Sequence, residues 1–83
     1  LLQNYPNPFN PTTNIRFDLP KSGFAKLVVY DMLGKEVAVL LEKNLQAARY
    51  VVDFNASELP SGIYFYKLQA GDFTSIKKMT LIK

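Results

Sequence analysis

Apolar and polar side chains alternate along most of this chain with a period of two, the spacing of a strand with one face buried. In residues 14–19, Ile15, Phe17 and Leu19 face one way while Arg16 and Asp18 face the other. Residues 24–31 place Ala25, Leu27 and Val29 opposite Lys26, Val28 and Tyr30, and residues 48–54 place Tyr50, Val52 and Phe54 opposite Arg49, Val51 and Asp53. The strongest β signal is residues 63–70. There Tyr64, Tyr66 and Leu68 share one face, and Ile63, Phe65 and Lys67 share the other. Both faces are apolar at its start, which predicts a central strand covered on both sides. A last strand is expected from Phe73 to Ile82. Its parity is imperfect, since Met79 and Leu81 share a face with Lys77, and Ile76 and Ile82 share one with Lys78. Either a twist at a sheet edge or a bulge near Lys77 accounts for this.

Residues 35–41 are ambiguous. Val37, Leu40 and Leu41 fit helical spacing, whereas β-branched Val37 and Val39 suit a strand. A strand with a bulge near Leu40 satisfies both patterns, because one extra residue shifts the parity; a helical turn is the alternative. Between the strands lie Pro20 to Gly23, an Asp31–Gly34 hairpin loop, a polar connection over residues 42–47, an Asn55–Gly62 loop and the tight turn Gly71-Asp72. Ahead of them, residues 4–11 read NYPNPFNP. Pro6, Pro8 and Pro11 each remove a donor and fix φ, so no helix forms, and a strap anchored by Tyr5 and Phe9 on a sheet edge is expected. Six short strands joined by short loops predict an all-β fold. The expected architecture is an immunoglobulin-like antiparallel β-sandwich of six to seven strands, the strap supplying the irregular seventh. An OB-type barrel is the alternative, and no internal repeat is visible.

Length and composition narrow this. Residues 1–83 suit one small domain with a thin core. Cys is absent, so neither a disulfide nor a thiolate metal site supplements that core. The longest apolar run, Val37 to Leu41, is far below the ~18 residues of a membrane span. No signal-peptide pattern opens the chain and Leu1 is not an initiator Met, so the chain reads as a piece of a larger protein. Charge is unevenly spread. Residues 1–62 hold six basic and six acidic side chains, while residues 63–83 hold Lys67, Lys77, Lys78 and Lys83 against Asp72, so the whole net charge of +3 sits in the last quarter.

Little in the chain suggests catalysis. His is absent, so the serines Ser22, Ser57, Ser61 and Ser75 have no triad partner. The carboxylates are scattered singly. Asp31 and Glu36 flank one loop, but two acids fall short of the 6–8 oxygens of a calcium shell. Asn55-Ala56-Ser57 matches a glycosylation sequon, though an Asx turn is the favoured reading. No Gly-rich phosphate loop occurs, and aromatic residues that alternate inward argue against nucleic acid. No catalytic, cofactor or metal residues are assigned, and no cofactor is expected. Tyr30 and Phe65, out of phase with their inward faces, are candidates for a sugar platform, with packing against the other sheet or the strap the expected alternative.

Four blocks occur in a familiar order: NYPNPFNPTTNIRF at 4–17, VYDMLGKEV at 29–37, LPSGIYFYKLQAG at 59–71 and KKMTLIK at 77–83. Together they resemble the C-terminal sorting domain (type A) of bacterial type IX secretion system substrates, over nearly the whole chain. The resemblance implies a non-catalytic signal at the end of a larger exported protein. Such a domain carries its upstream cargo through the outer-membrane translocon, and a sortase-like surface peptidase then removes it, leaving the cargo on the cell surface or released. It further implies that Lys77, Lys78, Met79, Leu81 and Lys83 are the sorting-signal positions, and that Gly62, Tyr64 and Gly71 shape the hairpin presenting them. The cut is expected at or before Leu1. Where the family often has Gly, this chain has Ala47-Ala48, so a tighter or shifted turn is expected there. The block around Ser61 to Tyr66 also resembles flagellar hook-capping proteins, which offers a structural role. The principal alternative function is an immunoglobulin-like carbohydrate- or surface-binding accessory module of an extracellular enzyme.

Overall fold

The computed structural model describes all residues, Leu1–Lys83. Strands run over Thr12–Leu19 (β1), Gly23–Tyr30 (β2), Glu36–Leu45 (β3), Ala48–Asn55 (β4), Gly62–Ala70 (β5) and Phe73–Leu81 (β6). They form a two-stranded sheet, β1-β4, and a four-stranded sheet in the order β3-β2-β5-β6. Every strand pair is antiparallel. The sheets share one buried core and no strand ladder joins them, so the domain is a sandwich and not an OB-type barrel. The connectivity is that of an immunoglobulin sandwich, with β1 and β4 in the places of strands B and E, and β3, β2, β5 and β6 in those of C′, C, F and G.

The period-two residues fill the space between the sheets. Ile15, Phe17 and Leu19 of β1 and Phe54 of β4 meet Ala25, Leu27 and Val29 of β2, Tyr64, Tyr66 and Leu68 of β5, and Met79 and Leu81 of β6. Phe9 of the strap closes one end of this layer, its ring 6.2 Å from that of Phe54. Phe17 stacks on Tyr50 at 5.3 Å.

Residues 36–45 form a bulged strand, not a helical turn. Leu27 pairs with Leu41 but Val28 pairs with Val39, so Leu40 is an extra residue. A second shift follows, since Val29 pairs with Ala38 and Tyr30 with Glu36, leaving Val37 extra. The two bulges turn Val37, Leu40 and Leu41 toward the core, which is why their spacing mimics a helix face. The strand also continues to Leu45, through most of the expected polar connection. An edge strand tolerates polar residues there, and Glu42 sits 3.9 Å from Lys26 of the neighbouring β2. The turn at Gln46-Ala47 crosses between the sheets with no residue at positive φ, so it needs no glycine.

The strap forms the irregular seventh strand and changes sheets along its length. At its start, the Leu2 amide donates to Arg16 O, and Tyr5 and Asn14 exchange both backbone bonds along β1. Farther on, the Phe9 amide donates to Thr80 O, and the Ile82 amide donates to Phe9 O, a parallel bridge to the outer edge of β6. At the crossing point lies a buried polar cluster. The Tyr66 hydroxyl accepts from the Asn4 amide at 2.7 Å and donates to Leu2 O at 2.8 Å. Asn4 Nδ2 donates to Thr13 Oγ1 and to Pro6 O, and Thr13 Oγ1 donates to Pro6 O. No buried side-chain polar atom lacks a partner. The strap, which loses three donors to Pro6, Pro8 and Pro11, thus has its buried polar side chains paired through this cluster.

Removing the Tyr66 hydroxyl leaves the Asn4 amide and Leu2 carbonyl without it in a buried site. Tyr66→Phe is expected to cost about 1–3 kcal/mol in urea unfolding, with the strap amides exchanging faster than those of β5. Burial also raises the Tyr66 pKa, against the lowering effect of the Asn4 hydrogen bond. A phenol with a raised folded-state pKa contributes stability that is present below the ordinary value near pH 10 and lost as pH climbs through the folded value. Thermal midpoints are therefore expected to fall above about pH 10, and Tyr66→Phe to flatten that alkaline limb.

Candidate recognition surface

The β5–β6 hairpin is built from local rules. Ala70 and Phe73 close it, and Gly71 occupies the first turn position at φ 59° while Asp72 stays at negative φ, the pattern of a type II′ turn. At the other end of β5, the Tyr64 hydroxyl donates to Pro60 O at 2.6 Å, four residues upstream. This is the tyrosine corner that marks the entry to strand F in immunoglobulin sandwiches. It ties the Leu59–Gly62 loop to the core and sets where β5 begins. Burial raises the Tyr64 pKa, with a smaller contribution from the Asp31 carboxylate.

Pairing between β5 and β6 runs unbroken from Gly62↔Leu81 to Ala70↔Phe73, so no bulge interrupts β6 at Lys77. β6 is an edge strand of its sheet, and its two faces alternate regularly. Ser75, Lys77, Met79 and Leu81 point inward. The covering sheet has two strands against four, so it buries Met79 and Leu81 completely and leaves Ser75 and Lys77 half-open. The apparent parity break is the place where that cover ends.

These positions separate the residues expected to carry the sorting signal into two groups. Met79 and Leu81 are 0% and 1% exposed, out of reach of anything that meets the folded domain. Lys78 and Lys83 are exposed, and Lys77 is half-buried at the sheet edge. The Lys83 amide donates to Ser61 Oγ and its ammonium to Ser57 O, which holds the terminus against the tyrosine-corner loop. Gly62, at φ 155°, and buried Tyr64 shape the start of the strand that pairs with it.

No strand lies over the outer face of the four-stranded sheet, although Val28 on that face is only 1% exposed. Tyr30 and Phe65 sit opposite one another there, not against the other sheet or the strap. Their half-burial, like that of Ile63 and Lys67, comes from neighbours in the same sheet. Phe65 pairs with Lys78, Lys67 pairs with Ile76, and the Lys67 ammonium lies 5.3 Å from the Tyr30 ring centre. The structure's two ion pairs are Lys26–Glu42 and Arg49–Asp18. Lys67, Lys77, Lys78 and Lys83 therefore have no carboxylate within ion-pair distance. Elsewhere, the polar candidates serve the fold. Asp31 Oδ1 accepts from the Leu33 and Lys35 amides, and Asn55 Oδ1 accepts from the Ser57 amide as an Asx turn.

A family model described as a secretion system C-terminal sorting domain matches residues 3–83. The chain belongs to that family. No curated protein and no solved structure matches it. Membership makes it a type IX sorting domain, a class non-catalytic in general, which implies export across the outer membrane to the cell surface or extracellular space. No helix is long and apolar enough to cross a membrane.

The strap expected on a sheet edge lies first on β1 and then on β6; Phe9 is a buried anchor as expected, whereas Tyr5 is 72% exposed and anchors only through its backbone. Gln3 Nε2 donates to Lys78 O, Asn7 Oδ1 accepts from the Thr80 amide, and Phe9 pairs on both sides of Leu81. The two groups of residues predict different mutants. Met79→Ala and Leu81→Ala are expected to lower stability by about 2–5 kcal/mol through lost burial and cavities. Lys78→Ala and Lys83→Ala are expected to stay within about 0.5 kcal/mol of the parent in the same urea titration.

Proposed function

We propose that this sorting domain is a non-catalytic, folded address that directs its attached cargo through the type IX outer-membrane translocon. The cargo is then attached to the surface or released after a sortase-like surface peptidase removes the domain. The family match over residues 3–83 carries this reading. The concentration of the net charge in residues 63–83, on ammoniums without ion-pair partners, supports a role for that region in recognition. On this reading Lys77, Lys78 and Lys83 meet the translocon directly. Met79 and Leu81 act from the core by holding β6 in register, and Gly62, Tyr64 and Gly71 fix the hairpin that presents it. Residues 1–83 act as one C-terminal unit of a larger precursor.

The alternative, a carbohydrate- or surface-binding accessory module, draws on the Tyr30–Phe65 pair of the open sheet face. Against it, the Lys67 side chain already sits over the Tyr30 ring, where a sugar would stack. Retardation on a polysaccharide affinity gel, lost in Phe65→Ala, would favour this module over the address.

Fusing residues 1–83 to a periplasmic reporter in a type IX-competent bacterium tests the proposal. The reporter is expected outside the outer membrane; retention in the periplasm, while a known sorting domain is exported in parallel, overturns it. Deleting Lys77–Lys83 is expected to abolish export, but it also strips Met79 and Leu81 from the core. The sharper variant is Lys78→Ala with Lys83→Ala, expected to lower export several-fold at unchanged thermal midpoint. Full export of that variant would remove the direct role given to these lysines.

A further inference from the structure

The free part of the β6 edge is an unassigned interaction surface. The Thr80 amide and carbonyl, the Ile82 amide and the Lys78 carbonyl all point away from β5 and are taken by the strap. Because the β5–β6 ladder has no bulge, the same parity turns the backbone groups of Thr74 and Ile76, and the Lys78 amide, toward the same side. Nothing in the fold pairs with these groups. The strap stops at Gln3, whose side chain caps Lys78 O, so a short open edge remains from Thr74 to Lys78.

The side chains around this edge have one sign. Consecutive lysines in a strand point to opposite faces, so Lys77 puts an ammonium on the inner side of the edge and Lys78 one on the outer side. Lys67 stands beside Ile76 on the outer face. None of the three has an ion-pair partner. Apolar groups lie between them: Ile76 is 58% exposed, and Phe65 is half-buried next to Lys78. The other free edges differ. β3 is broken by two bulges, and β4 mixes Arg49, already paired with Asp18, with Asp53.

We propose that the Thr74–Lys78 edge accepts an extended polypeptide segment in which pairs of adjacent carboxylates alternate with pairs of apolar residues, so that each face carries both, added as a further strand. The guest's backbone takes the free groups of Thr74, Ile76 and Lys78. Two adjacent carboxylates of the guest point to opposite faces and reach Lys77 on one and Lys78 on the other, and an apolar side chain on the outer face covers Ile76. The lysines also select the guest, because a second copy of this edge brings two more uncompensated ammoniums to the same place. An anionic lipid or polysaccharide satisfies the ammoniums but leaves the backbone groups unused, which favours a protein strand. The proposal concerns the isolated domain and holds whether or not the reporter fusion is exported.

The test uses the isotope-labelled domain, residues 1–83, titrated with a short synthetic peptide that repeats two glutamates followed by two valines. Amide shifts are expected at Thr74–Lys78 and the facing part of β5, with slowed hydrogen exchange at Thr74, Ile76 and Lys78. Proline is tolerated at an edge position whose amide faces solvent, so Ile76→Pro is expected to fold and to lose the peptide. Lys77→Glu with Lys78→Glu keeps every backbone group and is expected to weaken binding at least about tenfold at low salt. The proposal is overturned by absence of binding, by shifts centred on the β3 or β4 edge, or by undiminished affinity in the charge-reversed variant. Equal binding of a lysine–valine peptide, or anionic vesicles perturbing the same amides as strongly as the peptide, would also overturn it.

Discussion

The buried hydroxyl of Tyr66 joins the beginning of the chain to the middle of its larger sheet. It holds Leu2 and Asn4 from opposite sides of one oxygen, at 2.8 and 2.7 Å. That anchor lets a proline-rich strap, which cannot make a regular ladder, leave β1 and reach the far edge of β6. Without the strap, β6 is bare along its whole outer side. With it, the end of β6 is paired on both edges and Leu81 is sealed beneath Phe9. The first ten residues thus decide how much of the last strand a partner meets.

The same arrangement divides the signal region by depth. Two strands cover four, so the core is complete over Met79 and Leu81 and thins out over Ser75 and Lys77. Met79 and Leu81 act on the surface only by placing their neighbours, whereas Lys78 and Lys83 are themselves open to solvent. Because the end of β6 is sealed, strand pairing with a partner is confined to Thr74–Lys78. The tyrosine corner at Tyr64 and the type II′ turn at Gly71 fix the two ends of the hairpin, so this short edge is presented on a rigid frame.

Export also constrains such a domain. A bare sheet edge invites association with other chains on the way out of the cell. The structure answers that hazard edge by edge: the strap along β1, bulges in β3, mixed charge on β4, and the strap with Lys77 and Lys78 on β6. At β6 the protection is selective, since like charge repels other copies while leaving backbone groups open to a complementary strand.

Strand identities, and most of their bounds, were determined by the sequence alone. Alternation is local, and every residue of Ile15–Leu19 or Tyr64–Leu68 reports its own face. The bulge at Leu40 was legible for the same reason, since an extra residue breaks parity within a few positions, though the second bulge at Val37 was hidden within the same run. The charged terminus and the family likeness were legible too, because both are properties of residue order. Tertiary structure decided the rest. It left the outer face of β5 open, which two-sided apolar patterning cannot distinguish from cover, and it set Tyr30 against Phe65 on that face. It also led the strap to β6, through contacts between residues more than sixty positions apart. Finally, it buried Met79 and Leu81 while exposing Lys78. Alternation divides a strand into two faces; only the cover laid over one of them, here the opposing sheet together with the strap, decides how far along it burial extends.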